Sequence, residues 1–180
     1  MKLLQSVQVG QLPQSTEEFI VLRDRIAQAP QGGAAMMIVA LLVYAEDEDI
    51  GWQCLSAAVD RERLEEGPRG YRGRRLRASD ARLIESQVGK QPYLPRSYVE
   101  GATPENGYRL PAVPYELAFS ANPYSGDPDS GTYKVFSSCS GASSPRPITV
   151  RRNERGLWKA YEWSSLLVGV MKPERMMDQL

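Results

Sequence analysis

The sequence predicts an α+β fold, with helices in the first half packed on one face of an antiparallel sheet made from the second. Three observations predict it. The apolar residues of the first 60 positions recur at helical spacing, and those of the last 50 fall in short runs separated by turn residues. Between them lies a stretch too rich in proline to be regular. At 180 residues with 42% hydrophobic and 24% charged residues, the chain has the composition of one folded domain, expected over 1–180. The helical part is expected over about 15–90, the Pro/Tyr-rich part over about 92–133, the β part over about 115–170, and a polar tail over 172–180.

Each element has a local cause. Ser15-Thr16-Glu17-Glu18 has the form of a capping box, and Phe19, Leu22 and Ile26 follow as the stripe of an amphipathic helix. Pro30, Gly32 and Gly33 are expected to end it. Ala34 to Ala45 is apolar on every side, which predicts a helix buried in the middle of the domain. The acidic run Glu46-Asp47-Glu48-Asp49 breaks that helix and suits the positive N-terminus of the next, in which Ile50, Cys54, Leu55, Ala58 and Val59 form the apolar face. These two helices are expected to form an antiparallel αα-hairpin. The stretch from Glu65 to Ser79 has loop composition, and Asp80 to Val88 reads as a short helix.

In the second half, Tyr115, Leu117 and Phe119 alternate with polar or small residues, as in a half-buried strand. Thr132–Cys139, Ile148–Arg152 and Leu157–Trp163 predict three further strands, the last two joined by the turn Asn153-Glu154-Arg155-Gly156. Leu166–Val170 is a candidate for one more. Trp158 and Trp163 are five positions apart, so an ideal strand puts them on opposite faces, one in the core. Cys54 is expected in the core, and both cysteines are expected as free buried thiols.

Composition also restricts chemistry. The 22 basic residues balance 22 acidic ones, so no global field draws in nucleic acid or an anionic membrane. The longest apolar run, twelve residues, is too short for a membrane span, and the N-terminus lacks the apolar run of a signal peptide; a cytoplasmic protein is expected. The chain contains no histidine. That removes a Ser-His-Asp triad, a Cys-His dyad, a His-ligated metal and a His general base. No cofactor or metal is expected, and the lack of any complete catalytic set weighs against an enzyme.

Two segments carry candidate sites. The run Ser137–Arg146 gathers Ser138, Cys139, Ser140, Ser143, Ser144 and Arg146 with a glycine, the groups an anion or small-ligand site would use. Six residues separate Cys139 from Arg146 and a strand follows, which departs from the five-residue loop and following helix of tyrosine phosphatases. A serine-rich turn whose hydroxyls satisfy local backbone groups reads equally from the same residues. The second segment, Arg69, Arg72, Arg74, Arg75 and Arg77 with Tyr71 among them, could grip phosphates and stack on a base, or could be a solvated loop paired with Glu62, Glu65 and Glu66. The tyrosines of the Pro/Tyr segment could line a groove, or could pin an irregular segment through their hydroxyls.

The chain also resembles an uncharacterised bacterial domain family. The resemblance rests on Pro104-Glu105-Asn106-Gly107-Tyr108 with Leu110-Pro111, on Asn122-Pro123-Tyr124-Ser125-Gly126, on CSGASSPRPI at 139–148 and on GLWKAYEWSSLLVGV at 156–170. It extends from about the first helix to Pro173, and implies a bacterial origin without any activity, cofactor or catalytic residue. The leading expectation is a cytoplasmic bacterial binding or interaction protein without catalysis, with a protein partner or a small anionic ligand. The alternatives are an enzyme acting on a phosphate-bearing or other anionic substrate through Ser137–Arg146, and a nucleic-acid binder through Arg69–Arg77, against which the neutral balance weighs.

Overall fold

The computed structural model describes residues 1–174, and among these it has four α-helices in the N-terminal half and a five-stranded antiparallel sheet carried mainly by the C-terminal part, an α+β fold. The expected tail at 172–180 falls mostly outside the described residues. The helices are α1 (Thr16–Ile26), α2 (Pro30–Glu46), α3 (Glu48–Ala58) and α4 (Ala78–Gln87). Ser15 caps α1, its hydroxyl accepting from the Glu18 amide at 3.1 Å. The Glu18 carboxylate takes the amide of Gln14 instead of that of Ser15, one residue earlier than a capping box requires.

Pro30 does not end a helix; it begins one. It occupies the first turn of α2, where its missing N–H costs nothing, and Gly32 and Gly33 lie inside the helix. The reason is close approach: a Cβ on Gly33 would sit 2.6 Å from the Trp158 carbonyl oxygen, so only glycine lets α2 meet the sheet there. From Gly32 to Tyr44 every residue of α2 is buried. Asp47 alone separates α2 from α3, and its carboxylate accepts from the Ile50 amide at 3.1 Å, the capping role expected of the acidic run.

The large sheet has the order β1-β6-β7-β8-β9, from β1 (Lys2–Leu3), β6 (Phe119–Ala121), β7 (Thr132–Ser137), β8 (Arg146–Arg152) and β9 (Trp158–Glu162). Two short pairs accompany it. β2 (Val7–Val9) pairs with β5 (Tyr115–Leu117), and β3 (Leu64–Tyr71) pairs with β4 (Arg74–Leu76). The single strand expected around Tyr115–Phe119 therefore divides at Ala118, one half entering each sheet. Leu166–Val170 is not a strand; Ser164–Leu167 forms a 3-10 turn whose Ser164 amide is capped by the Glu162 carboxylate at 3.1 Å.

Both Trp158 and Trp163 are buried, contrary to simple alternation. Thr149 pairs with Glu162 while Val150 pairs with Ala160, so Tyr161 is an extra residue on β9. That bulge, and the exit from the strand at Trp163, reset which face the second tryptophan reaches. Tyr98 and Tyr108 donate to the carbonyls of Leu166 and Met171, both at 2.5 Å. These two tyrosines pin the C-terminal segment, the structural one of the two roles open to the Pro/Tyr stretch. Cys54 and Cys139 are free and buried.

Candidate functional site

The arginine-rich segment folds as a hairpin, not a loop. Glu65 lies opposite Arg75 and Glu66 opposite Arg74, so charge is complementary across the β3–β4 pair. The turn runs through Arg72 and Gly73, whose φ values of 53° and 75° put both central residues in the left-handed region that a tight, twisted hairpin turn demands. The five arginines then separate. Arg75 forms a salt bridge with Glu65 at 3.0 Å, Arg77 donates to the Glu62 carbonyl, and Arg69 lies over the Trp52 ring. Arg72 and Arg74 point into a cleft on the other side.

That cleft, of about 590 Å³, is assembled from four parts of the chain. From α1 comes Arg23, which is buried and donates to the Ala57 carbonyl at the end of α3 (3.1 Å) while pairing with Asp24 at 2.9 Å. The second part is the segment after α3. Val59 bridges to Ala160 and the Asp60 amide donates to the Ala160 carbonyl at 2.7 Å, which docks Asp60, Arg61 and Glu62 beside β9. The third part is the tip of the β3–β4 hairpin. The fourth is the β8–β9 hairpin, with Arg151, Arg152, Asn153, Glu154, Arg155 and Lys159. Its turn is held by the Asn153 side chain, which accepts from the amides of Arg155 and Leu157 at 2.9 and 3.0 Å.

Eight cationic side chains line the cleft against four carboxylates, in a chain of zero formal charge. Two of the four carboxylates are already committed: Asp24 to Arg23 and Arg155, and Glu62 to Arg151 at 2.7 Å. Among the described residues no ion pair engages Arg61, Arg72, Arg74, Arg152 or Lys159. Arg72 lies over the Tyr71 ring and Arg152 over the Trp158 ring, contacts that use the guanidinium face and leave its in-plane N–H donors free. In β8–β9, Arg151 stands directly opposite Lys159; Glu62 compensates the arginine, while no ion pair among the described residues engages the lysine. Burial pushes the Lys159 ammonium down to about 8, with the Arg23 and Arg155 charges adding to the effect and Asp60 and Asp24 opposing it.

A second, smaller hollow of about 210 Å³ lies where α3 meets the outer side of the same hairpin, between Trp52, Leu76 and Ala81. Ser56 borders both hollows, and its hydroxyl is held by the Trp52 carbonyl at 2.9 Å.

The Ser137–Arg146 segment is arranged differently. Arg146 donates to the carbonyls of Ser165, Val168 and Gly169 at 2.8, 2.6 and 3.1 Å, closing the C-terminal segment onto the sheet. Ser140 donates to the Ala102 carbonyl at 2.7 Å, and the Cys139 thiol to the Ser97 hydroxyl at 3.4 Å. Ser138, Ser143 and Ser144 are exposed. The guanidinium and the hydroxyls therefore do not converge on one point: Ser137 donates to the Ser138 carbonyl within the turn, whereas Ser140 reaches across to the segment around Ser97 and Ala102. Neither does the fold bring this segment to the arginine hairpin. What joins that hairpin is Arg151, Arg152, Arg155 and Lys159, four cations around a hairpin turn. Four cations in nine residues, against five in nine for Arg69–Arg77, were the signal available in the sequence.

No helix among the described residues is long and apolar enough to cross a membrane. The model of the family described as Domain of unknown function (DUF6935) matches residues 11–174. No curated protein and no solved structure matches the chain.

Proposed function

We propose that this chain, which belongs to the DUF6935 family of unknown function, is a binding protein for a small multiply charged anion such as a compound carrying two or more phosphates. It holds that ligand in the cleft between the β3–β4 and β8–β9 hairpins. One observation carries the reading: cations outnumber carboxylates two to one there, with Arg151 and Lys159 set against each other in register. Local charge rules are broken in folded proteins chiefly where function requires it. A bound polyanion would neutralise the excess and accept charge-assisted hydrogen bonds from guanidinium edges already oriented by aromatic rings. A hollow of this volume suits a small molecule rather than a nucleic-acid duplex.

The absence of histidine supports holding over transformation, and two unpaired thiols suit a reducing compartment. The reading accordingly takes the cytoplasm of a bacterium as its setting. Titration calorimetry with inorganic tripolyphosphate tests it. Binding is expected to weaken as salt rises, and by about tenfold or more in the double variant Arg74→Gln, Arg152→Gln, which removes two cations without setting a carboxylate against Glu66 and whose thermal midpoint stays near that of the parent. No heat of binding at low salt, or binding indifferent to that double change, refutes the proposal.

A further inference from the structure

Lys159 is the lone lysine of the cleft, and its place there is not that of a simple charge donor. It lies half-buried on β9 between Trp158 and Ala160, which are core residues. No hydrogen bond or ion pair among the described residues engages its amine. Arg151 faces it across the β8–β9 ladder, Arg155 approaches from the turn and Arg23 from α1. The carboxylates that oppose them are Asp24 on α1 and Asp60 after α3; Arg72 and Arg74 close the cleft from the β3–β4 hairpin. An amine so placed is rid of positive charge more easily than any other charged group in the cleft, because arginine does not deprotonate.

From this arrangement we infer that Lys159 is a site of reversible covalent capture, forming an imine with an aldehyde or ketone whose phosphate or carboxylate arm is held by the surrounding arginines. The inference rests on the anion-binding reading of the cleft. The nitrogen lone pair of the neutral amine attacks the carbonyl carbon, and the carbonyl oxygen gains the proton that nitrogen loses. The carbinolamine then expels that oxygen as water, leaving a C=N bond; one water is released and nothing is oxidised or reduced. Two features favour the product here. The lone pair is not spent on a neighbour, and the imine exchanges an ammonium in a cation-rich cleft for a group that can be neutral.

The probe is pyridoxal 5′-phosphate, an aldehyde with a phosphate arm, mixed at equimolar ratio with the intact chain near pH 7.5, reduced with borohydride and mapped by peptide mass spectrometry. With burial holding the ammonium to about 8, the neutral fraction of Lys159 exceeds that of a solvated lysine by on the order of a hundredfold. Allowing for a weaker intrinsic nucleophile, the adduct is expected on Lys159 at roughly tenfold the level on Lys2, Lys90 or Lys134. Tripolyphosphate is expected to suppress it, and pyridoxal without the phosphate to lose the preference. Lys159→Arg, which keeps the charge and removes the amine, is expected to lose the adduct. Labelling spread evenly over the lysines, or labelling of Lys159 untouched by tripolyphosphate, overturns the inference. If tripolyphosphate binds and Lys159 stays unlabelled, capture fails and the anion site stands. If tripolyphosphate does not bind at all, the anion site itself fails.

Discussion

If the cleft keeps uncompensated positive charge for a ligand, then removing one charge must stabilise the empty protein. Lys159→Met tests this, since methionine retains most of the apolar stem and discards the ammonium. The magnitude follows from the displaced ionisation of Lys159. Burial, assisted by Arg23 and Arg155, brings the ammonium from its ordinary 10.5 to about 8. At about 1.4 kcal/mol per pH unit, a displacement of this size is an upper bound of about 3 kcal/mol. Solvent reaching a half-buried group reduces this, so a gain of about 1–3 kcal/mol is expected, or several degrees in thermal midpoint for a domain of this size.

The sign determines the pH window. Below pH 8 the lysine is charged in folded and unfolded chains alike, and the cost of holding it charged in the cleft is fully present. Between about 8 and 10.5 the folded chain has released the proton while the unfolded chain still binds it, so stability contributed by this group rises with pH. Above 10.5 both are neutral and the cost is gone. The advantage of Lys159→Met over the parent should therefore be complete at pH 7 and fade through that window. Urea unfolding followed by tryptophan emission measures it, since Trp52, Trp158 and Trp163 are all buried. Taking the difference between variant and parent at each pH cancels the titration of tyrosines and thiols. A variant no more stable than the parent at pH 7, or an advantage that does not change up to pH 10.5, would refute the reasoning that this ammonium is held at a cost.

Arg146→Ala removes three hydrogen bonds to the carbonyls of Ser165, Val168 and Gly169, and should lower unfolding stability by about 2–4 kcal/mol while leaving tripolyphosphate affinity unchanged; a loss of affinity in a folded variant would return Arg146 to the binding machinery. Gly33→Ala should destabilise the fold by more than about 1 kcal/mol in urea, although alanine favours helix by about that amount. Its Cβ would stand 2.6 Å from the Trp158 carbonyl oxygen, and a stabilised variant would show that α2 and β9 can separate freely.

What could be read from the residues alone was local. The caps at Ser15 and Asp47, the all-round apolar run of α2 and the strands around Val135, Ile148 and Ala160 each follow from spacing within one turn or one pleat. The missing histidine was equally a property of the chain and excluded whole classes of chemistry before any fold was known. Where local rules failed, a distant partner had decided. Pro30, Gly32 and Gly33 read as a stop, and become the start of a helix because Trp158 requires close approach. Arg69–Arg77 read as a loop, and becomes a hairpin because it packs along α3 and Glu65 and Glu66 face Arg75 and Arg74. The candidate site belongs wholly to this second kind. Arg72 and Arg74 are some 80 residues from Arg152 and Lys159, and no periodicity extends that far. The docking of Val59 and Asp60 on Ala160, with the Glu62–Arg151 ion pair, holds the segment that leads into the β3–β4 hairpin beside β9. Composition told how many charges there were; packing decided which of them would share one cleft.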